Sequence, residues 1–127
     1  MTFVRGYLLA VGAFSVVVGL AYMIRPVEMA ALAGLVLSSP TAVIDVQGFY
    51  GGQLVGLGAA ILLGLRDPRF VVPALVLATA SLGGTAVGRV YGVVVEGACP
   101  PLIAGLLVVE AATAGVGAFV LRRELAA

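Results

Sequence analysis

Hydrophobic residues form four long uncharged stretches along the chain, separated by short polar breaks. A membrane-spanning helix needs about 20 predominantly apolar residues. The pattern therefore predicts a single all-α domain over residues 1–127, an integral membrane four-helix bundle. The uncharged runs are Gly6 to Ile24, Val46 to Leu65, Phe70 to Gly88, and Gly97 to Leu121 with Glu110 as its one interruption. Allowing for helix ends, the predicted spans are about 5–24, 41–64, 69–95 and 101–121.

The segment between the first two spans, about residues 26–38, is apolar but too short to cross a bilayer. It predicts a short interfacial or re-entrant helix. Proline at positions 40, 68 and 101 fits the first turn of a helix, where its missing N–H costs nothing. Gly97 is placed to end the third span.

Composition supports the membrane prediction and narrows the chemistry. Hydrophobic residues make up 62% of the chain and charged residues 10%, against roughly 25% charged in soluble domains. The net charge of +1 gives no indication of nucleic-acid binding. Histidine and lysine are absent, which removes the commonest metal ligand, general base and Schiff-base nucleophile. We therefore expect no metal site and no cofactor.

The arginines are distributed unevenly between the two sides of the predicted bundle. Only Arg25 falls clearly on the side opposite the chain ends. Because arginine and lysine are enriched in cytoplasmic loops, both termini are predicted to be cytoplasmic. The arginines on the side of the termini are Arg5, Arg66, Arg69, Arg122 and Arg123.

Glycines recur every four residues in two of the predicted spans, like the small-residue faces through which membrane helices pack closely. One run is Gly48, Gly52 and Gly56, and the other is Gly84, Gly88 and Gly92. These glycine zippers predict that spans two and three touch along the two runs. Contacts between copies of the chain, in a homo-oligomer, are the alternative.

Polar residues inside the spans are the candidates for function. A charge at bilayer depth costs at least about 2.5 kcal/mol, and such residues usually face the bundle interior. Asp45, Arg89 and Glu110 are predicted to meet in a buried polar pocket and are the candidate catalytic residues. One arginine then faces two intramembrane carboxylates. Either both share Arg89 and a proton, or one pairs and the other is protonated.

Four further residues are candidates for ligand binding. Tyr50 and Gln53 would orient a polar head group, Gly52 would leave room for an apolar body, and Tyr91 lies near the membrane interface. A purely structural role for the polar cluster, fixing helix register, is the competing interpretation.

Three stretches of the sequence resemble a bacterial four-helix membrane family known as domain of unknown function 4345. They are DVQGFYGGQLVGLGAAILLGL, GGTAVGRVYGVVVEG and VVEAATAGVGAFVL, and the resemblance covers nearly the whole chain. That family is similar to the broader DoxX-like membrane proteins. The resemblance implies a four-helix bundle in the bacterial inner (plasma) membrane and no established activity. It supports grouping Asp45, Tyr50, Gly51, Gly52, Arg89 and Glu110. Members often carry Arg where this chain has Gln47, so the pocket here is more negative than the family pattern.

Three functions fit these observations. The first is an intramembrane pocket for a lipid-like or isoprenoid-type hydrophobic small molecule, with acid–base chemistry such as isomerisation, cyclisation or epoxide opening. The second is an accessory subunit that stabilises a membrane complex through its glycine faces. The third is a small proton-coupled transporter. Against it, the first span carries no acidic residue after Arg5 that could bind the coupled proton.

Overall fold

A computed structural model describes residues 2–126 as four long helices. The shortest has 23 residues and is roughly 35 Å long, enough to cross a hydrocarbon core of about 30 Å. No strand occurs among residues 2–126. The predicted all-α, four-helix membrane fold is confirmed. The helices are span 1 (Thr2–Ile24), span 2 (Pro40–Leu65), span 3 (Pro68–Glu96) and span 4 (Pro101–Ala126).

The two ends of the bundle differ in what they carry. Consecutive spans run antiparallel, so both described ends of the chain lie on one side, together with the turn between spans 2 and 3. We call this side the arginine-rich end. The opposite side, made of residues 25–39 and 97–100, holds the exposed Cys99 and is called the Cys99 end.

Side chains and glycine define the helix ends, as the sequence indicated. The Ser39 hydroxyl accepts a hydrogen bond from the Ala42 backbone N–H at 3.2 Å and caps span 2. Asp67 accepts from the Arg69 N–H at 2.9 Å at the start of span 3. The Arg69 guanidinium also donates to Asp67, and these hydrogen bonds hold the pKa of Asp67 below its ordinary value. Gly97 ends span 3 with φ of +65°.

The short connecting helix, Pro26–Leu32, lies at the Cys99 end against spans 1 and 2. The predicted segment 26–38 is helical only as far as Leu32, because the helix closes through Gly34 in the left-handed region at φ of +77°. Seven residues make a helix of roughly 10 Å, too short to reach the bilayer centre.

Spans 1 and 2 pack backbone to backbone through paired glycines. A Cβ atom placed on Gly58 would lie 2.6 Å from the carbonyl oxygen of Gly12, and one on Gly19 would lie 2.7 Å from that of Gly51. The two pairs are seven residues apart along each helix, with Gly12 and Gly19 in span 1 and Gly51 and Gly58 in span 2. In each pair the two residue numbers sum to 70, as one antiparallel register requires. The same antiparallel register brings Arg5 to the Leu65 carbonyl, to which Nη2 donates at 3.2 Å.

The predicted contact between spans 2 and 3 through their glycine runs is wrong. A Cβ on Gly48, Gly56 or any glycine of the span 3 run would meet nothing within 4 Å. On Gly52 it would approach only the carbonyl of Gln47, in the same helix, at 3.9 Å. Span 2 carries two glycine faces, and a four-residue repeat identifies a small-residue face without showing what covers it. The face that packs is the seven-residue pair Gly51 and Gly58.

All four spans meet in one apolar core at the arginine-rich end. Leu8, Ile61 and Leu75, from the first three spans, are fully buried there, with Val120 from span 4 almost so. Span 4 is held to span 1 by the Tyr7 hydroxyl, which donates to the Thr113 carbonyl at 3.1 Å. The core cluster consists of Val4, Tyr7, Leu8, Ile61, Ala74, Leu75, Ala78 and Val120.

The two glycine faces of span 2 give a matched stability test. Gly58→Ala places a methyl group against the Gly12 carbonyl, and overpacking of this kind costs typically about 1–3 kcal/mol. Gly56→Ala meets open space and gains about 1 kcal/mol of helix propensity at most. Thermal unfolding in detergent, followed by circular dichroism, should show a lower midpoint for Gly58→Ala and an unchanged or higher one for Gly56→Ala. Equal destabilisation would contradict the observed packing.

Candidate functional site

An ion pair inside the membrane joins spans 3 and 4. Arg89 Nε donates to Glu110 Oε2 at 2.7 Å, and Arg89 Nη2 donates to Glu110 Oε1 at 3.0 Å. Arg89 lies seven residues before the end of span 3, and Glu110 nine residues after the start of span 4, so the pair is roughly 10–14 Å from the Cys99 end. This is the deepest charge pair of residues 2–126, the other being the exposed Arg69–Asp67 pair.

Helical spacing explains why these two side chains meet. Arg89 follows the buried Ala86 by three residues, and Glu110 precedes the buried Gly117 by seven. Three- and seven-residue separations return to the same helix face, so both charges lie on the faces by which spans 3 and 4 contact each other. Farther along that contact a Cβ on Gly83 would meet the Ala114 Cβ at 3.9 Å, which keeps the helices close.

The pair is only partly enclosed. The Arg89 side chain keeps 27% of its accessible surface and Glu110 14%. Both carboxylate oxygens accept hydrogen bonds, while Nη1 of Arg89 makes none among residues 2–126. Charge-assisted, two-point pairing of this type is strong. Removing one partner of a buried pair costs about 3–5 kcal/mol, because the other charge is left uncompensated.

Two tyrosines from the other half of the bundle lie near the pair. The rings of Tyr22 in span 1 and Tyr50 in span 2 are 5.3 Å apart between centroids, tilted by 32°. Tyr22 is buried and Tyr50 is 46% exposed. Both lie within the longer range of electrostatic interaction with Arg89, and neither hydroxyl forms a hydrogen bond with the ion pair within residues 2–126. The candidate site therefore takes one side chain from each of the four spans: Tyr22, Tyr50, Arg89 and Glu110.

The helix that carries Tyr50 is locally distorted. Span 2 is α-helical over Pro40–Val46, widens to a π-helical turn over Gln47–Gly52, and returns to an α-helix over Gln53–Leu62. Gln47 Nε2 donates to the Met23 carbonyl at 2.9 Å, which ties the wide turn to the end of span 1. Single π-helical turns inside α-helices are frequent at functional sites.

Asp45 is not part of this cluster. It is exposed, forms no ion pair or hydrogen bond within residues 2–126, and leaves Arg89 to Glu110 alone. Of the two predicted arrangements, sharing of Arg89 by both carboxylates is not found, and a single carboxylate, Glu110, pairs with it. Asp45 and Arg89 lie at similar depths in the bilayer, which is why they were predicted to meet. Depth alone does not determine the direction in which a side chain points from its helix.

Gln53, Gly52 and Tyr91 also lie outside the cluster. Gln53 is exposed and forms no hydrogen bond with the ion pair or the tyrosines within residues 2–126. Tyr91 follows Arg89 by two residues, about 200° around the helix, and 71% of its surface is exposed. Gly52 is exposed one residue past the packed face.

Sequence reasoning missed Tyr22 as a site residue. The pattern that could have identified it is the packing face of span 1, on which Gly12, Ser15, Gly19 and Tyr22 follow one another at three- and four-residue intervals. Within residues 2–126, no three His, Cys, Asp or Glu side chains come together in a way that could hold a metal ion.

Comparison with known proteins gives one match. The sequence model of the family described as domain of unknown function 4345 (DUF4345) matches residues 3–121. Neither the search of curated proteins nor the search of solved structures found a match. The match covers span 4 as far as Leu121 and the other three spans almost completely, and it includes both partners of the ion pair. The chain belongs to the DUF4345 family.

Proposed function

We propose that this protein binds a lipid-like or isoprenoid-type molecule within the membrane, with the polar group of the ligand on Arg89. The observation that carries the proposal is the side-on geometry of the ion pair. Glu110 occupies Nε and Nη2, which leaves the Nη1 edge of a partly exposed guanidinium as a hydrogen-bond donor at bilayer depth. Apolar surroundings strengthen a hydrogen bond donated there.

Uneven packing of the bundle supports the same site. Among the residues of span 3 beyond Ala86, none is buried, and among those of span 4 before Gly117, none is buried. The spans are thus well covered at the arginine-rich end and sparsely covered around the ion pair. An apolar ligand body can lie against these half-exposed surfaces, with Tyr50 beside its polar group.

Charge balance narrows the ligand class. Glu110 neutralises Arg89, so the site offers hydrogen-bond donors with little net charge. Nearby Tyr22 and Tyr50 add hydroxyl groups that donate or accept. A neutral ligand oxygen, such as that of a carbonyl, hydroxyl or ether group, is the complement we propose.

Acid–base catalysis is a further possibility within this proposal, and the geometry limits it. Isomerisation, cyclisation or epoxide opening needs a positioned proton donor. Glu110 accepts hydrogen bonds on both oxygens, the pattern of an ionised carboxylate. Within the cluster the hydroxyl of Tyr50 is the exposed donor, so we propose binding as the function and Tyr50 as the first residue to test for chemistry.

An accessory subunit of a membrane complex is the second candidate, and one observation favours it. Gln53 lies at the middle of span 2, is exposed, and has no hydrogen-bond partner among residues 2–126. Lipid cannot satisfy a side-chain amide, whereas a neighbouring helix can. A partner protein or a second copy of the chain would cover Gln53 with the open glycines beside it.

A proton-coupled transporter has less support. Such a protein must open its acidic site to both sides of the membrane in turn. Glu110 lies toward the Cys99 end, and the core formed by all four spans closes the other end.

For localisation we propose the bacterial inner membrane with both chain ends in the cytoplasm. Support comes from the five arginines at one end against Arg25 alone among the loops of the other. We also propose that the chain is related to the DoxX-like proteins, on the basis of the sequence resemblance and the four-helix architecture.

Native mass spectrometry of the purified protein tests the binding proposal. The wild type should retain one discrete small molecule. Arg89→Gln should bind that molecule roughly 10–100-fold more weakly, the range expected for loss of a hydrogen bond to a charged group. Asp45→Asn is the matched control, since Asp45 lies outside the cluster, and it should retain the ligand. A wild type that carries only bulk lipid, or equal loss in both variants, would contradict the proposal. A retained partner protein or second copy would instead favour the accessory role.

The orientation can be tested with the native cysteine. Cys99 is the one cysteine of the chain, is exposed, and lies at the end of the bundle opposite Thr2 and Ala126. A membrane-impermeant maleimide should label it from the periplasmic side of osmotically opened cells. Cys99→Ser combined with Ala126→Cys moves the thiol to the arginine-rich end and should label only after lysis. The reverse result would invert the proposed topology.

A further inference from the structure

The outward face of span 4 carries a shallow groove that ends in two arginines. The lining positions are separated by three, four, seven, eight and eleven residues from the first, so they form one continuous face of the helix. Small residues form the floor in the bilayer, and the charged residues lie at the membrane surface. The groove is lined by Gly115, Ala118, Phe119, Arg122, Arg123 and Ala126.

Neither arginine of this groove has an acidic partner within the described part of the chain, residues 2–126. Among residues 2–126, Arg122 and Arg123 form no ion pair and donate no hydrogen bond to the protein. The adjacent Glu124 pairs with neither. The Arg123 guanidinium lies 5.7 Å from the centroid of the Phe119 ring, a cation–π contact that folds the side chain back along the helix toward the groove.

Two of the three other arginines at this end are already engaged, while Arg66 is exposed outside the groove. Arg5 donates to the Leu65 carbonyl, and Arg69 pairs with Asp67. The whole end carries five arginines against two acids, Asp67 and Glu124, a net charge of +3. An anionic group that approaches this end therefore meets an attractive field, and in the groove it meets two arginines open to contact it.

The dimensions of the groove fit a lipid better than a free ion. Gly115 precedes Arg122 by seven residues, so the groove runs roughly 10 Å into the hydrocarbon layer. A Cβ on Gly115 would meet nothing within 4 Å, so the space above it is open. A soluble phosphate would use only the arginines, whereas a phospholipid uses both the charges and the apolar floor.

We propose that this face binds one anionic phospholipid, with its phosphate on Arg122 and Arg123 and an acyl chain over Gly115 and Ala118. The site is separate from the ion pair: the occupant is anionic, and it lies at the arginine-rich end. The bound lipid would fix the depth and tilt of span 4, which contributes Val120 to the apolar core.

Lipid retention from bilayers of defined composition tests this site. The wild-type protein is reconstituted in nanodiscs of phosphatidylglycerol and phosphatidylcholine in equal amounts, released, and examined by native mass spectrometry. One phosphatidylglycerol should be retained preferentially. The double variant Arg122→Gln, Arg123→Gln should weaken that retention roughly 30-fold. Arg66→Gln is the control, since Arg66 is exposed at the same end and lies outside the groove.

Gly115→Leu tests the acyl-chain half of the proposal without changing charge, and it should reduce retention by filling the floor of the groove. Inorganic phosphate should not displace the lipid. Unchanged retention in the double arginine variant, or equal loss in Arg66→Gln, would overturn the site in favour of diffuse attraction. Full retention in Gly115→Leu, or displacement by inorganic phosphate, would overturn the lipid as the occupant.

Discussion

The close contact between the backbones of spans 1 and 2 is the constraint on which the rest of the bundle depends. Gly12 against Gly58 and Gly19 against Gly51 leave no room for a Cβ atom, so only one antiparallel register satisfies both pairs. In lipid the helices gain little from hiding apolar surface, and such close approach supplies the packing energy. That register places Tyr22 beside Tyr50 and brings Gln47 to the Met23 carbonyl.

A second constraint is electrostatic and joins the other two spans. Arg89 and Glu110 are stable at bilayer depth only together, since each would be an uncompensated charge alone. Their pairing holds the sparsely packed halves of spans 3 and 4 in contact where the apolar core no longer reaches. Spans 1 and 2, which pack through glycines, contact spans 3 and 4 at the arginine-rich end, where Leu8, Ile61 and Leu75 are buried. The tyrosine pair and the ion pair both lie toward the Cys99 end, where spans 3 and 4 have no buried residue.

Sequence reasoning predicted the parts of this structure that depend on position along the chain. Uncharged runs predicted the spans, and proline and Gly97 predicted where they begin and end, because these features act locally. Glu110 and Arg89 were identified as interior because charge in a membrane needs a partner. Rotation about each helix axis was not predictable in the same way. Asp45 lies near the ion pair in depth but does not join it, and the four-residue glycine runs are not the seven-residue pairs that pack. The π-helical turn over Gln47–Gly52 also changes the direction in which the side chains of span 2 point. No propensity of these residues predicts that turn.

The most direct test of the binding site is photo-crosslinking from the site itself. A benzophenone amino acid replaces Tyr50 in the cluster, or Tyr91, which is exposed outside the cluster and lies nearer the Cys99 end, and the adducts are identified by mass spectrometry. If the cluster is a ligand site, the probe at position 50 captures one discrete molecule that is absent or rare at position 91, where the adducts reflect the bulk lipid. The same bulk-lipid mixture at both positions would show that Arg89 and Glu110 hold the helices together and bind nothing else.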